Sequence, residues 1–346
     1  MIRTRRTPIG VDLCGRWMKA AQLTVGSGGP RFHGACRVER RSSESQPDTD
    51  EIGDLLEAAA RSGCEGSRVV VGVPPTITIG AALSLPPRSS GAPLEQIAKL
   101  ELARTARVPP ETIETAMWDV PAPGRGGEAT HVVAIGLPHA ESNRLMSAFD
   151  AAGYEVERID ARGCALGRAA GVDGAGASLL IDVGWDHTGL LLLLGGRVLY
   201  QRVLTDTSLA SLYARAGVRD APSRAVLDSA ILHPDGQQVG GRALDPARAA
   251  LTAMLDTVAT EAERSLAYAA HRYPTIPIGA VRITGDGGGL PGLASRLACC
   301  ELPVQPLTPV NLVRFDRSGL RFASSHGMSC AMGLALPGLA SGKEAA

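Results

Sequence analysis

The sequence predicts an α/β fold built from two copies of one three-strand unit, with an αβ segment inserted into the first copy. Each copy starts with an apolar strand that carries one internal acid, Asp12 in the first and Asp182 in the second. Apolar runs joined by short glycine turns are typical of consecutive β-hairpins. The strands of the two copies are predicted over residues 9–13, 18–25 and 31–38, and over residues 179–183, 190–194 and 197–203.

The remaining elements follow from apolar periodicity and from the residues that end helices. Gly63 ends the first predicted helix, and Asp206 and Asp245 are predicted to cap two later ones. Further strands are predicted over residues 69–73, 77–85, 115–120, 131–137, 156–160 and 280–284. Helices are predicted around residues 52–59, 93–102, 145–149, 165, 209–213, 246–269, 290–298 and 325–336.

These elements suggest two domains and one insertion. The core of the first domain is predicted to comprise residues 1–72 and 161–175, and the inserted αβ subdomain residues 73–160. The second domain is predicted over residues 176–346, after a glycine-rich linker at residues 171–176.

Composition excludes several classes of function. Lys plus Arg and Asp plus Glu both number 35 in 346 residues, and only twelve residues are aromatic, so nucleic-acid binding is not expected. Seven cysteines without a CxxC pair indicate neither a zinc site nor a disulfide framework. The leucine run at residues 190–194 is far shorter than the ~20 apolar residues of a membrane helix, so direct membrane insertion is not expected.

Three glycine turns point to chemistry. They cover residues 12–19, 182–188 and 285–289, and each follows a predicted strand. Glycines let backbone N–H groups approach a phosphate closely, and the third turn also opens a helix, whose N-terminus favours an anion. Together, on a duplicated unit, they predict a nucleotide cleft between the two domains.

At these residues the chain resembles the actin-like superfamily of actin, Hsp70 and sugar kinases. Residues 9–19, Ile-Gly-Val-Asp-Leu-Cys-Gly-Arg-Trp-Met-Lys, resemble the first phosphate loop of that superfamily. Residues 180–188 are similar to its second phosphate loop, and residues 283–293 to its adenosine motif. Residues 331–335, Ala-Met-Gly-Leu-Ala, resemble its closing helix.

Within the superfamily, the chain resembles the PilM-type type IV pilus assembly proteins. Residues 99–110 are similar to the E-A-x-x-x-x-P helix of that branch, and residues 114–120 to the strand after it. Residues 263–266, Glu-Arg-Ser-Leu, resemble its helix beside the adenine. The resemblance implies duplicated actin-like (ribonuclease H-like) domains that flank a nucleotide cleft.

The resemblance also implies ATP and Mg²⁺ as ligands. It places Asp12 and Asp182 on either side of a Mg²⁺ ion, each holding the ion through water. The nucleotide-binding residues that it implies are Asp12, Gly15, Arg16, Lys19, Asp182, Gly184, Thr188, Glu263, Arg264, Gly285, Gly287, Gly288 and Gly289.

Both phosphate loops depart from the family pattern. The first carries Cys14, Arg16 and Trp17 where serines are usual, and the second carries Trp185 and His187 where small residues are usual. Arg16 is expected either to bind a phosphate or to replace one by pairing with an acid of the second loop, Asp182 or Asp186. Two alternatives remain open: a cleft that binds ATP with little or no turnover, and a degenerate cleft without nucleotide. His187 is expected to be an exposed hairpin residue rather than a general base.

The function implied by the resemblance is that of a cytoplasmic scaffold for a type IV pilus or a type II secretion-like machine. Its expected partner is the cytoplasmic N-terminal tail of a PilN-like inner-membrane protein, besides other assembly components. In PilM-like proteins that tail binds a groove between the first and the inserted subdomain. The chain would therefore be peripheral to the inner membrane through its partner. A small-molecule kinase and an FtsA-like filament protein are less favoured, since no clear catalytic acid or C-terminal amphipathic helix is found.

Overall fold

The structure is a computed structural model and describes residues 5–42, 46–124, 128–171, 176–218, 221–231, 245–316 and 319–336. Three segments lie wholly or largely outside these ranges: the predicted linker at 171–176, residues 233–243 and the C-terminus after residue 336. The strands β1 to β14 are Arg5–Arg6, Ile9–Asp12, Trp17–Gly26, Gly29–Glu39, Arg68–Val73, Ile79–Leu85, Ile113–Asp119, Thr130–Pro138, Glu155–Ala161, Ala177–Val183, Thr188–Leu194, Arg197–Leu204, Ile278–Thr284 and Val304–Pro306. The helices α1 to α10 are Thr49–Arg61, Leu94–Ala106, His139–Ala151, Arg162–Gly171, Leu209–Arg215, Ala221–Ile231, Asp245–Arg272, Leu293–Leu297, Leu320–Ala323 and Ser329–Ala335.

Two sheets repeat one topology. In the first sheet the order is β4-β3-β2-β5-β9, and β1 also pairs with β3. In the second sheet the order is β12-β11-β10-β13-β14. In the first sheet β2, β3 and β4 pair antiparallel, and β5 and β9 add in parallel. In the second sheet β10, β11 and β12 pair antiparallel, and β13 and β14 add in parallel. This repeat confirms the duplicated unit that the positions of Asp12 and Asp182 predicted.

The central strands of the second sheet are apolar on both sides because both faces of the sheet are covered. Every residue of β10 is buried, as is every residue of β11 except its last. Such strands read as continuous apolar runs rather than as alternating patterns. On one face, α7 packs Met254, Val258 and Ala262 into the same core as Leu179 and Ile181.

The other face of each sheet meets a central pair of helices, α4 and α10. Their side chains form one core with Leu23 and Val70 of the first sheet and Leu180 and Leu191 of the second. Glycine in β2 allows α10 to approach closely, since a β-carbon at Gly10 would lie 2.9 Å from Cβ of Leu334. The predicted second domain, residues 176–346, therefore needs correction, because α10 returns to the first sheet.

The inserted subdomain is a three-stranded antiparallel sheet, β6-β8-β7, covered on one face by α2. Its predicted range, residues 73–160, is too long. Strand β9 pairs with β5 of the first sheet, and Leu145 and Phe149 of α3 share a core with Val69. The insertion therefore comprises β6 to β8, and residues 139–160 belong to the first domain. Strand periodicity alone does not reveal a partner so distant in sequence.

Two helix starts differ from prediction in detail. Ser208, not Asp206, caps α5, because its hydroxyl oxygen accepts a hydrogen bond from the Ser211 backbone N–H at 3.1 Å. Helix α7 begins at Asp245, one residue before the predicted start. Within the described ranges, every helix is too short or too polar to cross a lipid bilayer.

Candidate functional site: the cleft between the two domains

The cleft lies where the central strands of both sheets end. Asp12 ends β2, Asp182 is the penultimate residue of β10, and Arg162 immediately follows β9. Parallel neighbours in a sheet present their carboxyl ends at one edge, and ligands of open α/β sheets bind there. The topology thus brings charged side chains from both domains together.

Arg162 joins the two acids across the cleft. Its Nε donates a hydrogen bond to Oδ2 of Asp182 at 2.8 Å, its Nη2 to Oδ1 of Asp182 at 3.1 Å, and its Nη1 to Oδ2 of Asp12. All three side chains are almost fully buried. Burial alone would raise the pKa of Asp12, but the charges of Arg162 and Lys19 hold that pKa below its ordinary value. The carboxylate of Asp12 is therefore ionised and paired.

The predicted water-mediated Mg²⁺ site at Asp12 and Asp182 does not fit this arrangement. Mg²⁺ requires near-octahedral oxygen ligands and keeps several waters, which need free carboxylate oxygens around the ion. Here the Arg162 guanidinium lies between the two carboxylates and donates to both. A second cation beside it would also be repelled. The Mg²⁺ site at these two acids therefore stays a prediction, and the ion pairs in this structure do not favour it.

A second buried ion pair also crosses the cleft. Nζ of Lys19, on β3, lies 2.9 Å from Oδ2 of Asp286, which belongs to the glycine turn after β13. The two side chains are 1% and 7% exposed. Burial alone would lower the pKa of Lys19, but Asp286 and Asp12 raise it above its ordinary value. The ammonium group, predicted to bind a phosphate, is thus charged and bound by a carboxylate of the same chain.

Arg16 and two tryptophans pack against each other across the cleft. The Arg16 guanidinium lies 4.4 Å from the ring centroid of Trp17 and 5.2 Å from that of Trp185. It binds both oxygens of Asp228 in α6 at 2.9 and 3.1 Å, and Glu39 in β4 at 2.8 Å. The predicted pairing of Arg16 with an acid of the second loop is therefore wrong.

A cavity lies on each side of the contact between Arg16 and the two tryptophans. One has a volume of about 610 Å³ and is lined by Arg16, Trp17 and Asp286 among others. The other, of about 580 Å³, is lined by Gly15 and Trp185. The larger cavity borders both the first phosphate loop, at Arg16 and Trp17, and the adenosine motif, at Asp286.

The glycines of the predicted loops are needed for contacts between the loops themselves. Gly15 has φ +81°, and a β-carbon there would lie 2.8 Å from Cβ of Trp185. Gly285 has φ +88°, and a β-carbon there would lie 2.7 Å from the Val183 carbonyl carbon. Glycine lets the three loops pack directly on each other. Their predicted role in binding phosphate stays a prediction.

Known structures share the fold of this chain. No protein-family model matches the sequence, and no curated protein matches it. A chain of the PilM–PilN type IV pilus biogenesis complex superposes with a TM-score of 0.75 at 20% identity. The match covers 96% of this chain and 98% of that one. The chain has the actin-like fold of PilM.

A second structure agrees on the fold. The ethanolamine utilization protein EutJ from Carboxydothermus hydrogenoformans superposes with a TM-score of 0.54 at 12% identity, covering 96% of this chain and 89% of that chain. At such identities the likeness establishes architecture only. The predicted actin-like, duplicated α/β fold with an inserted subdomain is confirmed. The roles of individual residues must be read from this actin-like cleft itself.

Several predicted site residues lie outside both cleft cavities. Thr188 is buried and its Oγ1 donates to the Thr207 carbonyl at 2.6 Å. Arg264 donates to Glu261 at 2.7 Å, and Glu263 contacts Cys299. The remaining predicted glycines pack against neighbours: Gly184 against the backbone of His187, Gly287 against Val183 and Gly288 against Thr284 and His326, while Gly289 borders the larger cavity.

Sequence reasoning missed three residues of the cleft: Arg162, Asp228 and Asp286. Arg162 lies two residues after the predicted strand at 156–160, but the predicted domain bounds place that strand in the inserted subdomain rather than in the first sheet. Asp286 lies inside a turn that was interpreted through its glycines alone. A charged residue directly after a parallel strand is the signal that could have identified Arg162.

His187 is buried, contrary to the expected exposed position, and this gives a pH dependence. The side chain is 4% exposed, Nδ1 has no hydrogen-bond partner among the described residues, and burial lowers the pKa below 6.5. The unfolded chain therefore binds this proton more readily, so the free energy of unfolding should fall as pH drops below 6.5.

We expect His187→Gln to flatten the dependence of the unfolding free energy on pH between 6.5 and about 5, as measured by urea denaturation. His139→Gln is the matched control, because the side chain of His139 is 43% exposed. An unchanged slope in the His187 variant would contradict the assignment.

Proposed function

We propose that this chain is a scaffold of a type IV pilus or type II secretion-like assembly machine. In this proposal it binds the short cytoplasmic tail of a PilN-like inner-membrane protein and lies at the cytoplasmic face of that membrane through this partner. The likeness to a chain of the PilM–PilN complex supports the proposal. The observation that carries it is a groove beside the inserted subdomain.

The groove lies between the first domain and the inserted subdomain and has a volume of about 620 Å³. Six consecutive residues of β9, 156–161, form one side. Residues 114–116 of β7 and 135–137 of β8 form the other, and Met146 of α3 also borders it. Met146 is 44% exposed, so its apolar side chain is accessible to a ligand in the groove.

The groove follows the backbone edge of β9. Among the described residues this strand pairs with β5 alone and is the last strand of its sheet. Successive side chains of a strand point to opposite faces, so six consecutive lining residues mean that the strand edge itself borders the groove. Unpaired N–H and C=O groups on such an edge can pair with an added strand. We therefore propose that the tail binds in an extended conformation.

Side chains in the groove define the chemistry of the tail. Ile135, Leu137 and Met146 offer apolar contacts. Glu114 is 76% exposed and lies 3.8 Å from His139, so a basic residue of the tail can pair with it. We expect a tail with alternating apolar residues and at least one lysine or arginine.

The groove can be tested with one pair of variants. Ala116 and Ala82 are both exposed and lie on the same face of the inserted sheet, but only Ala116 borders the groove. Ala116→Arg should weaken binding of a labelled partner-tail peptide at least tenfold in fluorescence polarisation, because the long side chain fills the groove. Ala82→Arg should leave the affinity unchanged. Equal affinities for both variants would contradict docking at this groove.

ATP with Mg²⁺ as a structural or switching ligand stays a prediction from sequence. The open alternative is a scaffold with no nucleotide. It agrees better with the ion pairs of Arg162 and Lys19, because these pairs already give the charged side chains of the cleft partners from the same chain. Binding of the tail peptide should then be the same with and without MgATP. The described residues contain no cluster of three or more His, Cys, Asp or Glu side chains that could hold a metal ion.

A further inference from the structure

We propose that the cleft carries its own substitute for a metal–nucleotide ligand. Arg162 takes the position of the cation between the two acids, and Asp286 takes the position of an anion on Lys19. The two domains are then held together by side chains of the same chain, without MgATP. This inference does not depend on the identity of the partner.

The cationic half is Arg162. Its planar guanidinium forms three charge-assisted hydrogen bonds, one with Asp12 of the first sheet and two with Asp182 of the second. A fork of N–H donors matches carboxylate oxygens in geometry as well as charge. The pKa of Arg162 lies well above its ordinary value, because the two acids outweigh the effect of burial. The guanidinium therefore supplies a permanent positive charge at this point.

The anionic half is Asp286. Its carboxylate lies 2.9 Å from the Lys19 ammonium, and the side chains of both residues are at most 7% exposed. Lys19 belongs to the first sheet and Asp286 to the loop after β13 of the second sheet, so this pair also crosses the cleft. A β-carbon at Gly327 would lie 3.3 Å from Cγ of Asp286, so the backbone encloses the carboxylate.

Arg16 and two tryptophans occupy part of the space between the first two loops. Trp17 and Trp185 meet edge to face with ring centroids 5.9 Å apart, and Arg16 lies over both rings. This contact separates the two cavities that flank it.

The charges also oppose an external ligand. The buried cluster contains three carboxylates, Asp12, Asp182 and Asp286, and two cations, Arg162 and Lys19. Its net charge is therefore −1. A triphosphate would face Asp286, and a Mg²⁺ ion would face Arg162. Moving either internal group away would leave a charge buried without its partner, which is costly at low dielectric.

The unmodified protein gives the first test. A ligand that binds only the folded state raises the unfolding temperature in proportion to the logarithm of its concentration over Kd. We expect no change in unfolding temperature with millimolar MgATP or MgADP, and no saturable heat in calorimetry. A saturable increase of the unfolding temperature with MgATP would overturn the proposal.

A second test removes the internal cation. Arg162→Gln frees the charges of Asp12 and Asp182, so the variant should gain a saturable rise in unfolding temperature with Mg²⁺ alone that the unmodified protein lacks. Arg68→Gln is the control, because Arg68 forms an ion pair with Glu157 that is exposed and distant from the cleft. Identical Mg²⁺ responses of the Arg162 variant and the control would count against the proposal. If the variant does not fold, the MgATP result on the unmodified protein still decides. Failure of this test would leave the groove experiment unaffected.

Discussion

Replacing Arg162 by alanine should lower the free energy of unfolding by about 3–5 kcal/mol, the usual cost of breaking a buried ion pair from one side. The loss arises because Asp12 and Asp182 would remain buried, 0% and 2% exposed, without their shared cation. Chemical denaturation in urea, with the slope checked for two-state behaviour, measures the change.

Two controls distinguish the cost of leaving a buried charge unpaired from the cost of losing an ion pair as such. Arg68 binds Glu157 at 2.8 Å, as close as Arg162 Nε lies to Asp182, but both side chains are about 40% exposed or more. Arg68→Ala should cost at most about 1 kcal/mol. The triple variant Asp12→Asn, Arg162→Met, Asp182→Asn should recover much of the loss, since no charge is left unpaired. A loss below 1 kcal/mol for Arg162→Ala would show that the ion pairs are not the main tie between the domains.

The elements of the fold that could be predicted depend on neighbours in sequence. Hairpins with glycine turns identified the strands around Asp12 and Asp182, and apolar spacing identified α1, α2 and α7. What failed were the elements whose place depends on distant partners. Strand β9 joins β5 across the whole insertion, and α10 returns to the first sheet from the end of the chain. No local pattern encodes either contact.

The candidate site shows the same limit. The sequence identified Asp12, Asp182 and Lys19, because acids in strands and glycine turns are local signals. Their partners were missed or misassigned because they are distant in the chain. Arg162 lies 150 residues from Asp12, and Asp286 lies 267 residues from Lys19. The family resemblance implies a metal and a phosphate at the positions where we propose that the chain places its own side chains.

The groove and the cleft share one structural element. Strand β9 borders the groove with residues 156–161, and the next residue is Arg162. The ion pairs of Arg162 thus fix the carboxyl end of the strand whose edge is proposed to receive the partner tail. A scaffold gains from this arrangement, since a fixed edge lowers the entropic cost of strand addition.

The close contact between α4 and α10 gives the second large effect expected on stability. A β-carbon at Gly333 of α10 would lie 2.8 Å from the Ala165 carbonyl carbon and 3.3 Å from Cβ of Ala169. The obstacle is helix backbone, and α4 cannot retreat freely. On its far side, a β-carbon at Gly163 would lie 3.0 Å from Leu191, which shows how closely α4 meets the second sheet. Gly333→Ala should therefore destabilise the protein by about 2–3 kcal/mol through overpacking, measured by urea denaturation.

The matched control is the same substitution at Gly53, which also lies within a helix, α1, but has no atom within 4 Å of its would-be β-carbon. Alanine has the higher helix propensity and reduces the entropy of the unfolded chain, so Gly53→Ala should stabilise the protein by about 0.5–1 kcal/mol. The two variants thus change one atom each and should move the unfolding free energy in opposite directions. The same sign for both would mean that α10 can shift away from α4, and that the helix pair between the sheets is not rigidly packed.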